Sequence, residues 1–252
     1  MAAQRWGTDG APQTRRAVLR GMARVALGAA VVPSLAACGA VPTTPKQATS
    51  APDAFTAPGP AVTDAGANPS VPKTMYSFDQ SGHIQLIGFG SNIFGTSDQF
   101  SFLYAPASGD GQWTVRVDAQ ENTSTFAKAG LMVRATTAPN SPFVDILAVP
   151  GGDAVLPEWR DSVGASASRP PQGPGKPVVP LYLRLTKKGQ VFTLAASPDG
   201  SNWSFQFPHE SSAFGSKYLI GLAACSDSSS FGLDVFSHLS GFTPSAYAAI
   251  GT

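Results

Sequence analysis

Between residues 75 and 244, apolar and polar positions alternate in short runs separated by turn signals, the pattern of half-buried β-strands. In GQWTVRVDA (111–119), Trp113, Val115 and Val117 share one face, and Thr114, Arg116 and Asp118 the other. In LYLRLTKKG (181–189), Leu181, Leu183 and Leu185 oppose Tyr182, Arg184 and Thr186. Further strands are expected at QFSFLY (99–104), GLMVRA (130–135), PFVDILAV (142–149), QVFTLAAS (190–197), KYLIGLAAC (217–225) and FGLDVFSHL (231–239). Asp110-Gly111, Lys188-Gly189 and Asp199-Gly200 read as turns, and Lys188-Gly189 lies close enough to two apolar runs for a tight hairpin. No segment keeps a helical period beyond two turns. About ten short strands predict an all-β, two-sheet sandwich.

Around this domain the composition changes. Residues 38–74 are rich in Pro, Ala, Thr and Gly without apolar periodicity, the composition of a chain that cannot offset its ordering entropy. They are expected to form an unstructured, semi-extended linker, and residues 245–252 a short tail. A second such stretch, SVGASASRPPQGPGKPVVP (162–180), interrupts the domain as a surface loop, either a tolerated insertion or the border of a ligand groove. The 252 residues include 22 Pro and 26 Gly, with 13% charged residues and a net charge of +1. Proline at that level argues against helices. The charge balance lacks the Lys/Arg clusters of a nucleic-acid binder.

The first 37 residues have the organisation of an export signal. Arg5, Arg15, Arg16, Arg20 and Arg24 precede an apolar stretch, Val25–Ala37. That stretch is too short to span a bilayer as a helix, which takes about 20 residues. Arg15-Arg16 resembles the twin-arginine motif of folded-protein export. Leu35-Ala36-Ala37-Cys38 resembles a lipobox, in which the cysteine thiol receives a diacylglyceryl group and the chain is cut before it. Acyl chains contribute about 0.8 kcal/mol per buried CH₂, enough for a multiply acylated protein to stay on a membrane. The expectation is a lipoprotein outside the cytoplasm, in the cell envelope, whose mature side chains carry −3, twelve Lys and Arg against fifteen Asp and Glu. Cys225 is then a lone thiol in an apolar run, expected as a small buried hydrophobe.

From about residue 84 to 243 the chain resembles the enolase-regulation-protein-like domains, a family of unknown function within the concanavalin A-like lectin/glucanase superfamily. The stretches that carry the resemblance are FGTSDQF (94–100), SGDGQWTVRV (108–117), ENTSTFAKAGLMVR (121–134), SPF (141–143), EWR (158–160), LYLRLTKKGQVFTL (181–194), SPDGSNW (197–203) and YLIGLAACS (218–226). The resemblance implies a concanavalin A-like jelly-roll β-sandwich of two curved antiparallel sheets. It departs where the family's closing Phe-Asp-Asn-Val-like strand is Phe236-Ser237-His238-Leu239.

Candidate chemistry is sparse. Glycoside hydrolysis normally uses two carboxylates facing the scissile bond, but Glu121, Glu158 and Glu210 form no Glu-x-Asp-x-x-Glu run, and Asp98, Asp118 and Asp145 lie on separate segments. His83, His209 and His238 lack metal-ligand spacing. No cofactor is implied, although Asp98, Asp110 and Asp234 are a conceivable calcium set; Asp110 also suits a hairpin turn. Trp203, in SPDGSNW, resembles the tryptophan of an Asp-box hairpin and is assigned to the core or the hairpin base. The binding candidates are Trp159 flanked by Glu158 and Arg160, as a sugar platform, with Arg116, Arg134, Tyr182 and Arg184 sharing one sheet face. The competing reading is a cross-strand ladder of arginines with Asp118 and Asp145. Taken together, the sequence suggests a non-catalytic, membrane-anchored module that binds carbohydrate or another extracellular polymer on one concave sheet. A glycan-active enzyme and a structural or protein-interaction lipoprotein of the envelope are the alternatives.

Overall fold

The computed structural model describes residues 61–65, 76–79, 81 and 83–242. Arg15, Arg16, Cys38, most of the expected linker and the expected tail lie outside the described residues. The described chain is a jelly-roll sandwich of two antiparallel sheets. Its strands are β1 (Ala61–Ala65), β2 (Tyr76–Phe78), β3 (Ile84–Gly88), β4 (Phe100–Ser108), β5 (Gly111–Gln120), β6 (Lys128–Arg134), β7 (Phe143–Ala148), β8 (Val155–Arg160), β9 (Leu181–Lys188), β10 (Val191–Ser197), β11 (Phe205–Glu210), β12 (Lys217–Cys225) and β13 (Gly232–Ser240). The six-stranded sheet runs β1-β4-β12-β6-β7-β8, and the seven-stranded sheet β11-β10-β9-β5-β13-β3-β2.

Strand alternation builds the inter-sheet core. Trp113, Val115, Val117, Leu181, Leu183, Leu185, Phe192 and Leu194 enter it from the seven-stranded sheet, and Leu131, Val133, Val144, Ile146, Ile220 and Leu222 from the other. The seven-stranded sheet keeps a polar outer face, so β5 and β9 alternate cleanly. The six-stranded sheet does not, because its outer face carries a second core of Ile93, Phe100, Phe102, Tyr104, Met132, Phe143, Leu147, Ala223 and Cys225. Residues 89–99 lie over that face, with Ile93 fully buried in it. Every residue of β6 and β7 is buried as a result, which is why those segments read as apolar runs.

Three expectations need correcting. The segment read as linker contains β1, whose backbone pairs antiparallel with β4, Ala61 opposite Tyr104 and Ala65 opposite Phe100. Asp110-Gly111 is not a hairpin turn: it carries the chain from β4 in one sheet to β5 in the other, and the Asp110 carboxylate accepts a hydrogen bond from Gly189 N at 2.7 Å. β8 and β11, absent from the expected set, contain Pro157 and Pro208. Both are edge strands, where a missing N–H leaves no ladder bond unmade. Lys188-Gly189 does form the expected hairpin, with Lys188 opposite Val191 and Gly189 at φ 59°.

Candidate functional site

The charged candidates of β6 and β8 are interior residues. Arg134 and Arg160 are fully buried and converge on Asp98. Arg134 Nη1 donates to Asp98 Oδ2 at 2.7 Å, and Arg160 donates from Nη1 to Oδ2 and from Nη2 to Oδ1, both at 2.7 Å. Further donors reach loop carbonyls: Arg134 Nη2 bonds Ala138 and Pro139, and Arg160 bonds Gly95, Ser141 and Ala165, while Arg134 Nε has no partner among the described residues. Glu158 pairs with Lys128, whose Nζ also donates to Asn92 Oδ1 at 2.9 Å and to the Ile93 carbonyl at 2.8 Å. These groups therefore tie residues 89–99 and the 138–141 and 165 loops onto the outer face of the six-stranded sheet. Arg134 takes Asp98, and not Asp145, as its partner.

Asp145 stands directly opposite Glu158 across β7 and β8, so two carboxylates that the sequence separates become neighbours. Both are buried, and neither Asp145 oxygen has a hydrogen-bond partner among the described residues. Burial, reinforced by the Glu158 charge, raises the Asp145 carboxyl well above the usual carboxylate range. Burial raises Glu158 too, against the opposing pull of Lys128.

Trp159 departs from its expected setting for a geometric reason: residues adjacent on a strand point to opposite faces. Glu158 and Arg160 face the covering loops, while Trp159 turns inward at the sandwich edge. There it stacks on His209 at 4.4 Å and on Phe207 at 5.5 Å, joining β8 to β11. His209 Nε2 lies 2.9 Å from Asp161 Oδ1.

Arg116, Tyr182 and Arg184 come together on the outer face of the seven-stranded sheet, without Arg134, which belongs to the other sheet. Arg116 is opposite Tyr182, and Thr114 is opposite Arg184. Arg116 is ion-paired to Asp118 and sits 5.8 Å from the Tyr182 ring centre. The Arg184 guanidinium lies 3.6 Å over the Trp203 ring, and its Nε approaches Thr114 Oγ1 at 3.4 Å. Partial burial lowers the Arg184 value. Trp203 is thus neither core nor plain hairpin base, but the platform beneath a cation. Its turn is held as the sequence suggests: Asp199 Oδ1 accepts from Ser201 N and Asn202 N at 2.8 and 2.7 Å, which keeps that carboxyl far below its ordinary value. His238 completes the patch. A register shift between Ser237 and Ser240 bulges β13, and His238 takes φ 51°, exposed and edge-on to Tyr182 at 5.7 Å. A bulge in which a histidine adopts the left-handed region leaves no hydropathy signal.

The conceivable calcium set does not assemble. Asp98 is held by two arginines, Asp110 by Gly189, and Asp234 is buried in β13 with its carboxyl raised by burial and by Glu121. No group of three His, Cys, Asp or Glu among the described residues is arranged to hold a metal. Cys225 is buried as expected, its Sγ 3.4 Å from the Gly90 carbonyl, and burial pushes the thiol up to about 12.

No family model and no curated protein matches the chain. Solved structures do. A functionally unknown protein from Saccharomyces cerevisiae is 20% identical, with a TM-score of 0.52, over 66% of this chain and 94% of its own. A CBM66 carbohydrate-binding module from Bacillus subtilis is 16% identical, with a TM-score of 0.45, over 73% and 97%. A β-glucanase from Bacillus licheniformis is 8% identical, with a TM-score of 0.46, over 71% and 89%. The likeness is one of fold: a two-sheet antiparallel jelly roll.

Proposed function

We propose that this chain is an exported lipoprotein, anchored through Cys38 after twin-arginine export by way of Arg15 and Arg16. Its sandwich binds carbohydrate without cleaving it, through the outer face of the seven-stranded sheet. One observation carries the binding reading. That face presents Tyr182, Arg184, Trp203 and His238 together and partly open, while the equivalent face of the other sheet is filled by residues 89–99. Aromatic rings over a polar sheet offer apolar contact to pyranose C–H groups, and the guanidinium and phenol offer hydrogen bonds to hydroxyls. The buried Asp145 and Glu158 have no route to a polymer, which favours a binding module over a hydrolase. The resemblance of residues 84–243 to enolase-regulation-protein-like domains is part of the same reading.

The test is a glycan array probed with the full-length chain, paired with a reducing-sugar assay on every polymer that binds. Retention without new reducing ends, lost in Tyr182→Ala and Trp203→Ala chains that melt normally, supports the module. Release of reducing sugar overturns the non-catalytic reading. An array with no binder, together with co-purification of envelope proteins, points to the structural lipoprotein instead.

A further inference from the structure

Five arginines lie among the described residues, and four of them are paired with a carboxylate: Arg116 with Asp118, Arg134 and Arg160 with Asp98, and Arg169 with Asp153. Arg184 is the exception. Its contacts are the Trp203 ring and Thr114 Oγ1, so Nη1 and Nη2 have no acceptor among the described residues. Asp199, in the same turn as Trp203, has its oxygens taken by Ser201, Asn202 and Ser197. The Trp203 ring holds the Arg184 guanidinium against the sheet at 3.6 Å, and its free fork matches the two oxygens of a carboxylate.

The neighbourhood sets the scale of the ligand. Tyr182 is two residues along the same strand, a step of about 6.6 Å, and its hydroxyl also lacks a partner among the described residues. One sugar ring against Tyr182 can thus reach Arg184 with a carboxylate attached to the ring. We infer that the ligand of this face is an acidic polysaccharide of the uronate type, its carboxylate held by Arg184 over Trp203. This rests on the glycan-binding reading above. A mature chain whose side chains sum to −3, twelve Lys and Arg against fifteen Asp and Glu, has no general attraction for a polyanion, so recognition must be local.

The experiment titrates the full-length chain with polygalacturonate, with its methyl ester, which keeps the sugars and removes the charge, and with a neutral glucan. Binding to the acid form is expected to exceed binding to the ester by about tenfold or more, the worth of a charge-assisted hydrogen-bonded pair, and to weaken with salt. Arg184→Gln should abolish that preference. Arg184→Lys should restore little of it, since an ammonium lacks the planar fork. Arg169→Gln, the same charge change elsewhere, should leave it intact. Equal binding of acid and ester overturns the inference and leaves the glycan-binding reading standing. Equal losses in Arg184→Gln and Arg169→Gln overturn it as well, reducing the effect to general electrostatics. Failure of all three polymers, extended to an empty glycan array, removes the glycan reading itself. The acid-versus-ester comparison uses the unmodified chain and so does not depend on a variant folding.

Discussion

At the scale of single residues, the energetics concentrate in charges that the fold has taken out of water. Asp98 is shared by two buried guanidiniums that together bond five loop carbonyls. Removing one partner from a buried ion pair leaves an uncompensated charge, so Asp98→Ala should cost about 3–5 kcal/mol, read as a drop in the urea midpoint. A loss below 1 kcal/mol would mean that the pairing is solvated. Asp145 gives a pH prediction. Its folded carboxyl is raised by burial and by Glu158, so the folded state keeps a proton that the unfolded chain releases near pH 3.9. That contribution to stability is complete below the unfolded value and is lost as pH rises through the folded one. Asp234, raised by burial and Glu121, acts in the same sense. Stability should therefore decline toward alkaline pH, and Asp145→Asn should flatten the decline by one titrating group. A series of urea midpoints from pH 5 to 9 checks it; an unchanged slope in the variant refutes it.

Elements impose a different kind of constraint. β8 and β11 close the sandwich on one side from opposite sheets, and the Trp159 stack with Phe207 and His209 joins them. Trp159→Ala should destabilise by about 3 kcal/mol, the low end for a large aromatic because the ring is only partly buried. Faster hydrogen exchange in β8 and β11, ahead of β5 and β9, would locate the effect. Within β6, a Cβ on Gly130 would sit 2.3 Å from the Ile146 carbonyl oxygen and 2.7 Å from Leu183 Cδ1. Neither backbone nor core gives way readily, so Gly130→Ala should cost about 1–3 kcal/mol or more, visible as a lower melting temperature.

For the whole molecule, the two outer sheet faces have become unlike. One is roofed by residues 89–99 and bonded to them through Lys128, Arg134 and Arg160; the other stays open and polar with Arg184 and Tyr182 on it. Thiol chemistry offers a global check. Cys225 is buried, with its thiol raised to about 12, so it should not react with an alkylating reagent in the folded protein. If Cys38 is acylated as proposed, the native protein should be silent to such reagents until denatured. Cys38→Ser should move the protein from the membrane fraction to the soluble one, and mass spectrometry of the amino terminus reads the modification directly.

What the sequence determined by itself is whatever follows from local periodicity. A strand with one wet face shows its alternation in the chain, so β5, β9 and β10, the hairpin at Lys188-Gly189 and the two-sheet class were legible. So was the Asp199 turn, because its hydrogen bonds span only a few residues. Tertiary structure alone decided which strands share a sheet, and with that which candidates meet. Arg116 and Arg134 look equivalent in their strands, yet one lies on an open face and the other under a loop. Asp145 and Glu158, thirteen positions apart, become opposite neighbours through β7–β8 pairing. Asp98 finds Arg134 and Arg160 at separations of 36 and 62 residues. Such pairings depend on strand order and on what covers each face, and both are set by burial summed over the whole chain rather than by any local run of residues.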